Sequence, residues 1–195
     1  MVDQGQKTFD LEINVFYIGV MDMMTPVRGP GRPRRFDTDV ALDRAVCVFS
    51  ERGYHATSIN DLAEAMALAQ GSIYKAFGDK RGVYIAALDR YHTVRTRLLE
   101  EAAASGRTGR QKVRNALMFF AESSCGEAGR RGCLVVGSAS ELAAFDEEAA
   151  AKAAAALVRK ETLMAGYLRE GIVDGSVDPG IDAEAAARFM LCVVN

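Results

Sequence analysis

The chain has 195 residues, 49% of them hydrophobic and 26% charged, with a formal charge of -2. That is enough apolar material for a core and excludes a wholly disordered charged tail, which is poor in apolar residues. The charge is uneven: residues 28–95 carry 11 Lys+Arg against 8 Asp+Glu, residues 96–195 carry 12 against 14, and residues 1–27 carry 1 against 4.

Residues 1–36 read as a disordered extension ending in an arginine-rich arm. The segment Phe9 to Val20 stands alone before a helical protein and reads either as disordered or as the product of a start codon set too early, since Met21, Met23 and Met24 stand just before the helical region. Glu12, Asp22 and the lack of a small-x-small cleavage site argue against a signal peptide. No run approaches the roughly 18 apolar residues of a membrane span. Cys47, Cys125, Cys133 and Cys192 lack Cys-x-x-Cys spacing, so neither a disulfide framework nor a metal site is expected. The expectation is a cytoplasmic protein with reduced thiols and no membrane partner.

From residue 37 the pattern is helical. Leu42, Ala45, Val46 and Phe49 fall on one face behind Asp37 or Thr38 as a cap and ahead of Gly53 as a stop. A second helix opens at Thr57 or Ser58, where Ser58-x-x-Asp61 has the capping-box form, and buries Ile59, Leu62, Ala63 and Met66. A third runs from Gln70 to Phe77 with Ile73 inward, and Asp79 caps a fourth that ends near Ala104. Further helices are expected over 110–124, 133–144 and 147–169, and an eighth from Asp182. The run Ala149 to Ala156 offers either a small-residue face for a close helix contact or a solvated surface.

Residues 58–77 have the dimensions of a helix-turn-helix, with Ala67, Leu68 and Ala69 in the turn. Neither helix can stand alone, so both must rest on neighbours through Leu62, Leu68 and Ile73, leaving the outer face of the second free to enter a groove. There Gln70 suits adenine and Lys75 suits guanine as base readers. Thr57, Tyr74 and Lys80 suit phosphate oxygens, which fix register without reading sequence. Ser58, Gly71 and Ser72 complete this surface: Gly71 lets a phosphate or base edge approach the backbone, and the helix start offers unpaired N–H groups. Arg32, Arg34 and Arg35, in the arm Arg28-Gly-Pro-Gly-Arg32-Pro-Arg34-Arg35, can follow the DNA backbone or enter a narrow minor groove.

These residues are similar to a known pattern. The stretch 41–88 resembles the N-terminal DNA-binding domain of TetR-type transcriptional regulators, through Phe49, Gly53-Tyr54, Thr57-Ser58-Ile59, Gly71-Ser72-Ile73-Tyr74 and Phe77-Gly-Asp-Lys80. The resemblance implies an all-α fold, with a three-helix DNA-binding domain over 37–83 and a helical ligand-binding and dimerisation domain over 84–195. It implies a homodimer that represses transcription at a pseudo-palindromic operator on double-stranded DNA and is released by a small-molecule effector, with no cofactor. Ala67 stands where the family often has Gly, Ala69 where it often has a capping Ser or Thr, and Lys75-Ala76 where it often has an aromatic residue and His. Family members usually finish with two helices that pair across the dimer. This chain stops at Val193-Val194-Asn195 within what reads as the first, which implies truncation at the C-terminus or a differently built dimer.

In the second half, Phe119, Phe120, Cys125, Cys133, Met164 and Tyr167 are candidates for lining an effector pocket, beside their ordinary reading as core. Arg130 and Arg131 near Cys133, at a helix start, favour the thiolate and with it an oxidant- or electrophile-sensing role; a buried structural thiol is the other reading. An enzyme would need a catalytic constellation. The chain offers only His55 and His92, no phosphate-binding Gly loop and no nucleophile elbow. A non-catalytic helical interaction module is the reading from another class; salt-dependent DNA binding separates the two.

Overall fold

The computed structural model describes residues 36–125, 129, 132–142 and 146–194, and for 138–140 the backbone alone. Among these the regular elements are α-helices: α1 (Thr38–Ala56), α2 (Ile59–Met66), α3 (Gln70–Phe77), α4 (Lys80–Ala104), α5 (Gly109–Ser123), α6 (Leu134–Glu141), α7 (Glu147–Val173) and α8 (Ala183–Val194).

Local chemistry explains most of the boundaries. Asp37 opens α1 by accepting from the N–H groups of Asp39 and Val40 at 3.0 and 3.3 Å. Asp79, Thr108 and Asp146 open α4, α5 and α7 through side-chain oxygens in the same way. Gly53 interrupts α1 rather than ending it: its φ of 76° and ψ of 170° break the helix, and one further turn follows to Ala56. The positive φ favours glycine there. Helix α7 runs past the expected Arg169 to Val173.

Two apolar cores stack along the molecule. The first joins Leu42, Val46 and Phe49 of α1, Leu62 and Met66 of α2, Ile73 of α3 and Val83, Tyr84 and Leu88 of α4 to Leu134 and Val135 of α6 and Ala149, Ala153 and Ala156 of α7. The alanine run is therefore a packing face at these three positions. The second core gathers Leu99, Val113, Phe119, Phe120, Met164, Leu168, Ala187 and Leu191. Helix α4 serves both, so the expected boundary between residues 83 and 84 falls inside a continuous helix. In the second half α5 crosses α7 at a glycine pair, where a β-carbon on Gly109 would lie 2.0 Å from the Gly171 nitrogen.

Ion pairs fasten α4 along its length. Arg90 bridges Asp43 and Asp39 of α1, each at 2.8 Å. Arg81 holds Asp146 at 2.6 Å and Glu148 at 2.9 Å, and its guanidinium lowers the Asp146 carboxyl to about 2. Lys152 of α7 reaches Asp89 at 2.8 Å. No helix among the described residues is long and apolar enough to cross a membrane.

Candidate nucleic-acid interface

The start of α2 is capped by a reciprocal pair. The Asp61 N–H donates to Ser58 Oγ at 3.1 Å, while the Ser58 N–H donates to Asp61 Oδ2 at 2.8 Å. Bonds from the Ser58 hydroxyl and backbone, helped by the Arg52 guanidinium at 2.6 Å, hold the Asp61 carboxyl below its usual value. The expected capping box is present. Helix α2 ends at Ala67, whose φ of 54° is left-handed, a conformation that costs a non-glycine residue about 1–2 kcal/mol.

Helix α3 begins differently. Its cap position is Ala69, with no side-chain bond to the first turn. The Ser72 and Ile73 N–H groups donate to the Ala69 carbonyl at 2.9 and 3.2 Å, which leaves those of Gln70 and Gly71 at the helix start with its partial positive charge. One side chain of α3, Ile73, is fully buried. Gln70, Gly71, Tyr74, Lys75 and Ala76 are exposed and Ser72 is half-exposed. A β-carbon on Gly71 would meet nothing within 4 Å, so the fold itself does not require glycine there. The Gln70 amide donates to Asn60 Oδ1 on α2, which joins Asn60 to this surface. Sequence reasoning missed Asn60; its place two residues after the Ser58 cap, on the polar side of α2, is the signal that could have found it.

Two expected phosphate ligands stand elsewhere. Thr57 is 2% exposed, and its hydroxyl donates to the Gly53 carbonyl at 2.6 Å. Lys80 donates to the carbonyls of Tyr54 and Thr57, both at 2.9 Å, and its ammonium sits 4.3 Å from the Tyr54 ring centroid. Burial of Thr57 corrects the expectation of a free phosphate contact there, and Lys80 holds two carbonyls that the sequence did not show. The break at Gly53 leaves carbonyls at the end of α1 without helical partners, and these two side chains satisfy them. Tyr54 itself packs edge-on against Tyr84 at 5.0 Å; burial first, then the Asp79 and Asp146 carboxylates, raise its phenol pKa.

Arg32, Arg34 and Arg35 lie outside the described residues, as do Arg130 and Arg131. Phe36, the first described residue, packs against Phe77 at the end of α3 with ring centroids 6.5 Å apart.

Of the candidate effector residues, Phe119, Phe120 and Met164 are buried in the second core with Tyr167 packed against them. The two phenyl rings stand 5.8 Å apart, with the Arg95 guanidinium 4.3 Å over Phe119 and the Lys160 ammonium 5.7 Å over Phe120. Cys125 is exposed after the end of α5, and Cys133 packs against the first core just before α6, so neither joins that group. Burial opposes ionisation of the Cys133 thiol. The Lys160 ammonium, the N–H groups of Val136 and Val135 and the Tyr91 hydroxyl outweigh it and lower its pKa.

Two short helices joined by a tight turn, the second presenting a polar face and an open start, define a helix-turn-helix DNA reader. Residues 41–87 match the family model for bacterial regulatory proteins of the tetR family. The transcriptional repressor ComR of Escherichia coli is 29% identical over 169 residues, covering 85% of this chain and 79% of that protein. The transcriptional regulator AcuR of Cereibacter sphaeroides is 26% identical over 175 residues, covering 84% and 80%. A TetR family regulator, CifR, solved as a cysteine mutant with 26-bp double-strand operator DNA, is 33% identical with a TM-score of 0.70, covering 84% of this chain and 85% of that one. The chain belongs to the TetR family and is a DNA-binding transcriptional regulator.

Proposed function

We propose that this regulator is a repressor that binds a pseudo-palindromic operator as a homodimer and leaves it when a small-molecule effector enters the helical half. The observation that carries the reading is α3: five of its eight residues are exposed, and its first turn is uncapped by any side chain. Gln70 and Lys75 are assigned to base edges. Tyr74, Ser58, Ser72 and the backbone at Gly71 are assigned to the sugar-phosphate backbone. Thr57 and Lys80 support them from behind. The Phe36–Phe77 contact anchors the chain beside α3, and Arg32, Arg34 and Arg35, which precede Phe36 in sequence, are assigned to the DNA backbone or a narrow minor groove.

A second copy accounts for an apolar surface on the other half. Leu157 and Val158 of α7 and Phe189 and Val193 of α8 are exposed at 37, 60, 71 and 70%, and the Arg188–Glu161 pair at 2.9 Å aligns these segments side by side. Burying them between two copies would remove an apolar patch from water, and reading a pseudo-palindrome requires the two α3 helices to stand about 34 Å apart, one DNA turn. Residues 37–83 then act as the reader and 84–195 as the sensing and dimerising part, joined through α4. The cluster of Phe119, Phe120, Met164 and Tyr167 is the proposed effector region, and Cys125 and Cys133 stand outside it. The protein works in the cytoplasm without catalysis of its own.

The test is binding to duplexes selected from a random 26-bp pool, at two salt concentrations. Affinity should fall steeply with salt, by a slope set by the phosphates contacted. Gln70→Ala and Lys75→Ala should change preference among sequences, by about 1–3 kcal/mol at the base each one reads. Equal losses on every duplex would defeat the base-reading assignment.

A further inference from the structure

The break in α1 is closed by a residue 87 positions away. Tyr54 follows Gly53, where the helix is interrupted, and its N–H donates instead to Glu141 Oε2 at 2.9 Å. The same carboxylate lies against Gly53: a β-carbon there would be 2.5 Å from Glu141 Oε1. On the other side of this peptide the Gly53 carbonyl receives the Thr57 hydroxyl, and the Tyr54 carbonyl, in the next peptide, receives Lys80 from α4. Thr57 and Ser58 then lead directly into α2. The path of the chain into the reading pair thus passes through Tyr54, held by α6 on its N–H and by α4 on its carbonyl.

Glu141 is the last residue of α6, an eight-residue helix about 12 Å long. Its other end begins beside Cys133, which faces Tyr91 of α4 and the Lys160 charge of α7. A two-turn helix is too short to bend, so displacement of its first turn must carry Glu141 with it. We propose that Glu141 is the positioning residue of the DNA reader: its carboxylate latches α6 to the Gly53–Tyr54 break and so sets the angle at which α2 and α3 meet DNA. This rests on the repressor reading and deepens it by naming the group through which the sensing half would act. When α6 withdraws, the Tyr54 N–H loses its acceptor, the break relaxes, and the two reading helices lose a fixed orientation.

The experiment compares Glu141→Asp with Glu141→Gln in the full chain. The first keeps the charge and shortens the reach by one methylene. The second loses the charge and keeps an acceptor oxygen at the same distance. Affinity is measured for duplexes that the unaltered chain selects from a random pool, and amide exchange is followed at Tyr54 and, as a reference in the second core, at Leu168. A latch requires Glu141→Asp to weaken specific binding about tenfold and to speed Tyr54 exchange about tenfold with Leu168 unchanged, while Glu141→Gln stays within about threefold of the parent in both. The reverse ranking, or Glu141→Asp within twofold of the parent in both readouts, overturns the proposal. Failure of the unaltered chain to select any sequence would sink the repressor reading instead, and Tyr54 exchange would still judge the latch.

Discussion

Helices α2 and α3 are equally long, eight residues each, yet they begin in opposite ways. The first turn of α2 is bonded to Ser58, which Asp61 reciprocates. The first turn of α3 follows Ala69 and has no side-chain acceptor. The Asp61 carboxylate in the first turn of α2 opposes an anion there, whereas the first turn of α3 carries no acidic side chain and keeps its dipole for one. The contrast teaches that α2 is built to be held and α3 to be used. The cost of the open start is met elsewhere, by Ile73 in the core and by the Lys80 clamp at the end of α1.

The largest expected effect comes from removing what both helices stand on. Lys80→Ala strips a cation from two carbonyls and a tyrosine ring, and should lower the unfolding free energy by about 2–3 kcal/mol in urea titrations. It should weaken binding to every duplex alike. A variant with unchanged stability would show that the clamp is not needed and would return Lys80 to the phosphates. Ser58→Ala should cost about 1 kcal/mol by thermal melting, because α2 then starts as α3 does. The pH dependence has a definite sign: the Asp61 carboxyl is lowered in the folded chain, so its contribution is full above the unfolded value of about 4 and fades as pH falls through the lowered one. Ser58→Ala should flatten that acid limb. The smallest effect sharpens the contrast most. Gly71→Ala should add about 0.5–1 kcal/mol of stability, since the site is helical with open space around it, while operator affinity falls. Gains in both would mean that DNA does not approach the backbone at Gly71.

What could be read from the chain followed the range of each interaction. Ser58 and Asp61 are three residues apart, so their capping box is visible as a pattern, as are the apolar spacing of Leu42, Val46 and Phe49 and the inward Ile73. The clamp made by Lys80 was not legible because the carbonyls it serves lie 23 and 26 residues back; from its position alone it reads as a cation at a helix start facing DNA. Thr57 was misread because its burial depends on α1 resuming for a turn after Gly53. Glu141 left no local trace at all. A glutamate at the end of a short helix looks like any solvated carboxylate until the fold sets it against Tyr54. The Lys160 charge that acts on Cys133 had no local trace either, since it comes from α7.

The shallow anchoring of α3 has a consequence for divergence. A helix that touches the core through one fully buried side chain can have most of its surface rewritten without disturbing the packing beneath. Gene duplication followed by drift at Gln70, Gly71, Tyr74, Lys75 and Ala76 would yield paralogues that keep this scaffold and its response while addressing other promoters. The same latitude makes α3 the place to graft a new specificity onto this chain.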